Sequence, residues 1–184
     1  MSGLLIRLFI GKNTDLKDSR TRKKYGNLSG IIGIIANALL CLMKVAAGII
    51  AGSISLIADG LNNLSDMGSS VVTIIGFKMA AKPADRDHPY GHGRMEYMSA
   101  LIVTVFIFAV GIEMLMTSIE ALVSGENAAE YSLFAIISLA VSVLVKFWLF
   151  LFNRKLGKCI NSEVLFATAK DSLNDVAASS AILI

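Results

Sequence analysis

The chain has 184 residues, of which 55% are hydrophobic and only 17% are charged, with two prolines and a mean hydropathy of +0.68. This composition excludes an average soluble domain and is typical of an α-helical protein with several membrane spans. The two cysteines, Cys41 and Cys159, are too few for a disulfide framework and form no paired thiolate motif for a metal. The net charge of +3 is less informative than the positions of the charges.

Hydrophobic segments predict an all-α membrane protein with a bundle of five membrane-spanning helices. A basic arm, residues 1–27, precedes a transmembrane domain that is predicted to occupy residues 28–184. The predicted spans are about 28–51, 53–81, 95–123, 131–152 and a segment that begins near 163 and is still hydrophobic at 184.

Basic residues alternate between the connections of these spans. The N-terminal arm, the loop after the second span and the link after the fourth span are rich in lysine and arginine, whereas the other two links have none. The positive-inside rule therefore predicts a cytoplasmic N-terminus. A plasma membrane of bacterial type is the expected location. Lys44 and Lys146 lie near the ends of predicted spans, so their side chains are expected to snorkel towards the membrane surface.

The second predicted span carries polar residues along one helical stripe. Asn62 and Asp66 are four residues apart, about one turn, so both can face a single ion. A carboxylate near the bilayer centre costs roughly 3 kcal/mol, which makes such a residue face the bundle interior or water. On this stretch alone, a helix–helix hydrogen-bonding role is equally compatible. Asp59, one turn nearer the outside, is expected to be a packing or release-path acid. The stripe consists of Ser55, Asp59, Asn62, Asp66, Ser69 and Thr73.

The fifth predicted span repeats this pattern. Aligning Asp175 with Asp66 also aligns Asp171 with Asn62, which gives a second pair one turn apart. Each pair lies roughly 15 to 22 Å from the start of its span, at 1.5 Å per residue. That distance reaches the middle of a hydrocarbon core about 30 Å thick. The two spans are therefore predicted to present four oxygen-bearing side chains at one level.

Three carboxylates at one membrane depth need either protons or a divalent cation to offset their charge. Metal binding then displaces protons and protons displace metal, so Asp66, Asp171 and Asp175 are predicted to couple the two. The absence of histidine and cysteine favours a harder ion such as Mn²⁺. Zn²⁺, Fe²⁺ and Co²⁺ remain alternatives. Ligand type alone is weak evidence for selectivity, since Zn²⁺ also binds oxygen sites. Apart from the transported cation, no cofactor is expected.

With these motifs the chain resembles the cation diffusion facilitator, or cation efflux, family of divalent metal–proton antiporters. The resemblance rests on Ser55–Gly60, the pairs Asn62/Asp66 and Asp171/Asp175, and the loop and helix start from His88 to Glu96. It implies that the four paired residues form the transport site. The combination of Asn-Asp with Asp-Asp is similar to the manganese branch. The resemblance also implies a homodimer for the full-length protein.

In some members of this family a second metal binds the loop between the second and third spans. The matching residues here are Asp85, His88 and His92, which offer carboxylate and imidazole ligands. The alternative is that His88, His92 and Glu96 cap and orient the loop and the start of the third span. The capping and orienting role is favoured here, because a loop zinc site need not persist in an oxygen-type transporter.

The family usually has six spans followed by a cytoplasmic α/β domain, and this sequence ends within the fifth span. The resemblance therefore implies an incomplete transmembrane domain. The leading hypothesis is proton-coupled efflux of Mn²⁺ by a secondary active transporter rather than an enzyme. One rival is an intramembrane aspartyl hydrolase with Asp66 and Asp175 as its carboxylate dyad. The other is a fragment that does not transport.

Overall fold

The computed structural model describes residues 18–52, 54–124 and 133–183, and within them the regular structure is entirely helical. This confirms the predicted all-α fold class. Most of the predicted N-terminal arm, residues 1–17, lies outside the described residues. The helices are α1 Ser19–Ala51, α2 Ile54–Ala80, α3 Met95–Ser124, α4 Leu133–Ile160 and α5 Glu163–Leu183.

Three of the helices contain segments that are long and apolar enough to cross a membrane. These segments are Ser19–Ile50 in α1, Met95–Glu113 in α3 and Ile136–Ile160 in α4. Over their described residues, the helices α2 and α5 are not in this group, and they are the two that carry the predicted ligands. With 27 and 21 residues, they are about 40 and 31 Å long at 1.5 Å per residue. Their length therefore suffices for a hydrocarbon core of about 30 Å.

Four of the helices enclose a common centre. Helix α1 packs against α2 and α4, α5 packs against α4, and α2 contacts α5, so the ring is closed. Helix α3 lies beside this ring, against α2 and α5. The two polar helices, α2 and α5, thus meet inside the bundle rather than facing lipid on all sides.

Glycines bring α1 and α2 into close contact. A Cβ atom at Gly26 would overlap the side chain of Phe77, and one at Gly30 would overlap that of Ile74. Small residues at a helix interface let two backbones approach closely, which is the usual way in which membrane helices gain packing energy. Gly26 and Gly30 therefore allow α1 and α2 to pack closely.

Two tight turns reverse the chain with positive φ angles. Gly52, at φ 62°, ends α1 and donates its N–H to the carbonyls of Gly48 and Ile49. Asn161, at φ 48°, stands between α4 and α5. Glycine and asparagine tolerate this left-handed conformation best. Both turns keep the following helix antiparallel to the one before it.

An apolar core closes one end of the bundle, the end where α1, α3 and α5 begin. All five helices contribute to it. This is also the end with the basic loops, which the charge pattern predicts to be cytoplasmic. The buried side chains of this core are Tyr25, Leu28, Phe77, Ala100, Phe152, Leu156, Ile160, Val164 and Leu165.

Candidate metal-ion site at the centre of the bundle

Asp66 and Asp175 approach each other across the centre of the ring. Each is twelve residues beyond the first residue of its helix, which is about 18 Å along the axis. Because α2 and α5 start at opposite ends of the bundle, this spacing brings the two carboxylates to a similar depth. Their side chains are only 11% and 20% exposed. The predicted meeting of the second and fifth spans at one level is thus present in the structure.

The side chain that joins these two acids is Lys146 of α4. Its Nζ lies 2.5 Å from Oδ2 of Asp66 and 2.5 Å from Oδ2 of Asp175. The lysine side chain is 5% exposed, so the expectation that it snorkels to the membrane surface is wrong. The reason is its position, since Lys146 is thirteen residues after Leu133 and fourteen before Ile160, in the middle of α4.

The remaining predicted ligands lie one turn from these acids. Asp171 precedes Asp175 by four residues on α5, is half-buried, and interacts electrostatically with Asp66, Asp175 and Lys146. Asn62 precedes Asp66 by four residues on α2 and is also half-buried. The structure therefore joins Asp66 and Asp175 through one ammonium, with Asp171 and Asn62 each one turn away on α5 and α2.

Other residues of the stripe on α2 serve helix packing instead. The Thr73 hydroxyl lies 3.5 Å from that of Thr168 on α5. Each hydroxyl has a single proton, which can go either to the other threonine or to a carbonyl four residues earlier on its own helix, that of Ser69 for Thr73 and that of Val164 for Thr168. Both are buried. The hydrogen-bonding interpretation of the stripe thus holds for Thr73, while Asp66 takes part in the charged cluster.

A second buried lysine lies on α1. Lys44 Nζ is 2.8 Å from Oδ2 of Asp59, and the lysine side chain is 4% exposed. The snorkelling prediction is therefore wrong for Lys44 as well. Asp59 is 35% exposed and is engaged with this lysine. Its ion-pair partner is thus Lys44 rather than Lys146.

The loop between α2 and α3 brings Asp85, His88 and His92 together, with one ligand atom from each within 4.8 Å of the others. The His88 N–H donates to Asp85 Oδ1 at 2.7 Å. This backbone hydrogen bond is the main reason why the pKa of Asp85 lies below its usual value. His92 Nδ1 lies 3.2 Å from the carbonyl of Pro83. These contacts are of the loop-structuring kind, and metal binding here stays a prediction.

Glu96 orients the start of α3 through another helix rather than within this loop. Its carboxylate is paired with Arg22 of α1, with Arg22 Nη2 2.7 Å from Oε1. Arg22 Nη1 also donates to the carbonyl of Ile160 at the end of α4. The predicted orienting role of Glu96 therefore depends on a partner that the loop sequence does not contain.

Comparison with known proteins identifies the family of this chain. Residues 30–184 match the model of the cation efflux transmembrane domain. The chain belongs to the cation efflux family. This confirms the resemblance that the paired motifs predicted. Together with the apolar helices, it also makes the chain an integral membrane protein of a transporter family.

Several bacterial members of the cation efflux family are similar over most of the chain. The uncharacterized transporter YdbO of Bacillus subtilis (strain 168) is 37% identical over 88% of this chain and 55% of its own length. The manganese efflux system proteins MneP and MneS of the same organism are 32% and 33% identical, over 89% and 83% of this chain and 54% and 52% of theirs. The chain thus spans about half the length of the curated relatives it matches.

Proposed function

We propose that the chain is the transmembrane part of a proton-coupled exporter of Mn²⁺. The observation that carries this proposal is the cluster of Asp66, Asp171 and Asp175 at the centre of the helix ring. Carboxylate and amide oxygens suit Mn²⁺ better than they suit softer metals. The similarity to two proteins named for manganese efflux supports the same ion.

The transported ion binds the three carboxylates and the Asn62 amide oxygen in this proposal. A divalent cation offsets most of the charge of the acids, and protons offset it when the metal leaves. Exchange of metal for protons at one site gives antiport if the site opens to the two sides in turn. The positive-inside pattern supports a cytoplasmic N-terminus. The proposal places loading of the ion on that side, in a plasma membrane of bacterial type. The full-length protein acts as a homodimer.

The test is transport of Mn²⁺ by the full-length protein in proteoliposomes with an imposed proton gradient. Asp66→Asn keeps the size of the side chain but removes a charged ligand, so flux should fall by about a hundredfold or more, the loss of roughly 3 kcal/mol of ion binding. Asp59→Asn is a matched control on the same helix. It also takes an acid from a buried lysine, and it should retain most of the flux. Equal flux in the Asp66 variant and the unaltered protein would refute the assignment.

A second experiment tests which ion the site selects. Asp171→His replaces an oxygen ligand by an imidazole, and preference should shift from Mn²⁺ towards Zn²⁺. Flux of Mn²⁺, Zn²⁺, Fe²⁺ and Co²⁺ is measured in parallel for both proteins. If the ratio of Zn²⁺ to Mn²⁺ flux stays constant, Asp171 does not control selectivity. If the unaltered protein transports another of these ions faster than Mn²⁺, that ion and not manganese is the substrate.

A further inference from the structure

We propose that the Lys146 ammonium is a tethered cation that occupies the metal position of the site and is displaced when the transported ion binds. This inference rests on the proposed function. Lys146 sets the affinity for the ion, because it competes with the ion for two of its ligands. The observation behind this inference is the bridge that Lys146 makes between the two acids on α2 and α5.

The bridge uses the same oxygens that the ion would use. Lys146 Nζ is 2.5 Å from one carboxylate oxygen of Asp66 and 2.5 Å from one of Asp175. Divalent ions lie about 2.0 to 2.6 Å from carboxylate oxygens. Because the ammonium bridges one oxygen of Asp66 and one of Asp175, it occupies the space between the two oxygens that would hold the ion.

An ammonium and a divalent ion cannot share this position. Their repulsion grows as the inverse of their distance and is stronger inside a protein than in water. Lysine can yield without any helix moving, because its charge is carried on a flexible stem of four carbons. The helix positions can thus stay as they are while the ammonium withdraws from the two oxygens.

The charge of the cluster favours a divalent ion over a monovalent one. Asp66, Asp171 and Asp175 carry three negative charges when ionised, and Lys146 offsets one of them. Two negative charges remain, which a divalent ion neutralises while the displaced ammonium stays nearby. A monovalent ion would leave one buried charge without compensation, and buried charge is costly in a membrane.

Lys44 provides a matched control, because among the residues that the structure describes it is the other lysine buried against an acid. Its Nζ contacts Asp59 at 2.8 Å, and Asp59 is not among the proposed ligands. Removing its charge perturbs the electrostatics of the bundle without vacating the ion position. A difference between the two lysines therefore separates displacement at the site from a general effect of charge.

The experiment measures Mn²⁺ binding to the full-length protein in detergent, from the paramagnetic resonance signal of the free ion. The measurement is made at about pH 8, where protons compete less with the metal than they do at neutral pH. Lys146→Met keeps a side chain of similar length without the ammonium, and affinity should rise by about tenfold or more. Lys146→Arg should lower affinity by about tenfold, because a guanidinium holds two carboxylates with more hydrogen bonds. Lys44→Met should change affinity by no more than about threefold.

The two substitutions at Lys146 are expected to act in opposite directions, which damage to the fold would not produce. Unchanged or weaker binding in Lys146→Met would overturn the inference. If that variant does not fold, Lys146→Arg decides, and unchanged or tighter binding in it would overturn the inference equally. Failure of the proposed function has a different signature, in which the unaltered protein does not bind Mn²⁺ or Asp66→Asn binds it equally well.

Discussion

Arg22 on α1 holds Glu96 at the start of α3, with Arg22 Nη2 2.7 Å from Glu96 Oε1 and 2.8 Å from Oε2. The same guanidinium donates through Nη1 to the carbonyl of Ile160 at the end of α4. One side chain thus ties three helices together at the end that also contains the shared apolar core. Arginine suits this task because its planar fork binds a carboxylate and still has donors left.

We expect Arg22→Ala to destabilise the protein by about 3 kcal/mol, because it leaves the Glu96 carboxylate buried without its partner. Thermal unfolding in detergent measures the loss, with Arg20→Ala as a control. Arg20 lies two residues earlier on the same helix and is exposed, so its removal should change stability by less than about 0.5 kcal/mol. Equal melting temperatures for the two variants would mean that the contacts of Arg22 with Glu96 and Ile160 do not stabilise the protein.

Replacing Gly26 by alanine should weaken the α1–α2 contact. The new methyl group would overlap the Phe77 ring, and Phe77 is 1% exposed, so it has little room to move. Overpacking of this kind costs about 1 to 3 kcal/mol. Gly68→Ala is the matched control, because nothing lies within 4 Å of its added methyl group. There the better helix propensity of alanine should stabilise by up to about 1 kcal/mol.

Unfolding temperatures of both glycine variants and the unaltered protein give the comparison. Opposite signs at Gly26 and Gly68 would support a tight α1–α2 interface. A stabilising effect at both positions would contradict it, since intrinsic helix propensity alone would then explain the results.

The loop between α2 and α3 should loosen in acid. The His88 N–H lowers the pKa of Asp85 in the folded protein, so the unfolded chain binds the proton more readily. The contribution of this contact to stability is therefore present above the unfolded pKa and disappears as the pH falls through the folded value. Carbon NMR of labelled aspartate should give Asp85 a pKa below the ordinary value of about 3.9. A value at or above the ordinary one would contradict the contact.

The sequence predicted the helices and the meeting of Asp66 with Asp175 because both follow from local rules. Hydrophobic length defines a span, and equal spacing from two span starts defines a common depth. The snorkelling prediction for Lys146 is wrong because the predicted fourth span ends at residue 152, which puts this lysine near an end. The helix in fact continues to Ile160, so Lys146 is central. Helix continuity beyond the apolar segment was the missing information.

Contacts between distant parts of the chain could not be predicted in this way. Arg22 and Glu96 are 74 positions apart, and no spacing rule relates a basic arm to the start of a later helix. The same limit applies to Thr73 and Thr168, which are 95 positions apart. On the sequence, Thr73 and Asp66 belong to one polar stripe. Only the packing of α2 against α5 shows that Thr73 faces Thr168 whereas Asp66 belongs to the charged cluster.

The bridge at Lys146 also constrains the order in which the chain can enter a membrane during synthesis. An isolated α4 would carry a lysine at its centre, at a cost of roughly 3 kcal/mol. Asp66 is made 80 positions before Lys146, whereas Asp175 follows it by 29. The acid on α2 is therefore available when α4 is inserted, and the acid on α5 arrives last. Biogenesis should accordingly proceed by recruitment of α4 to a membrane-embedded α1–α2 hairpin, with α5 completing the charged cluster afterwards.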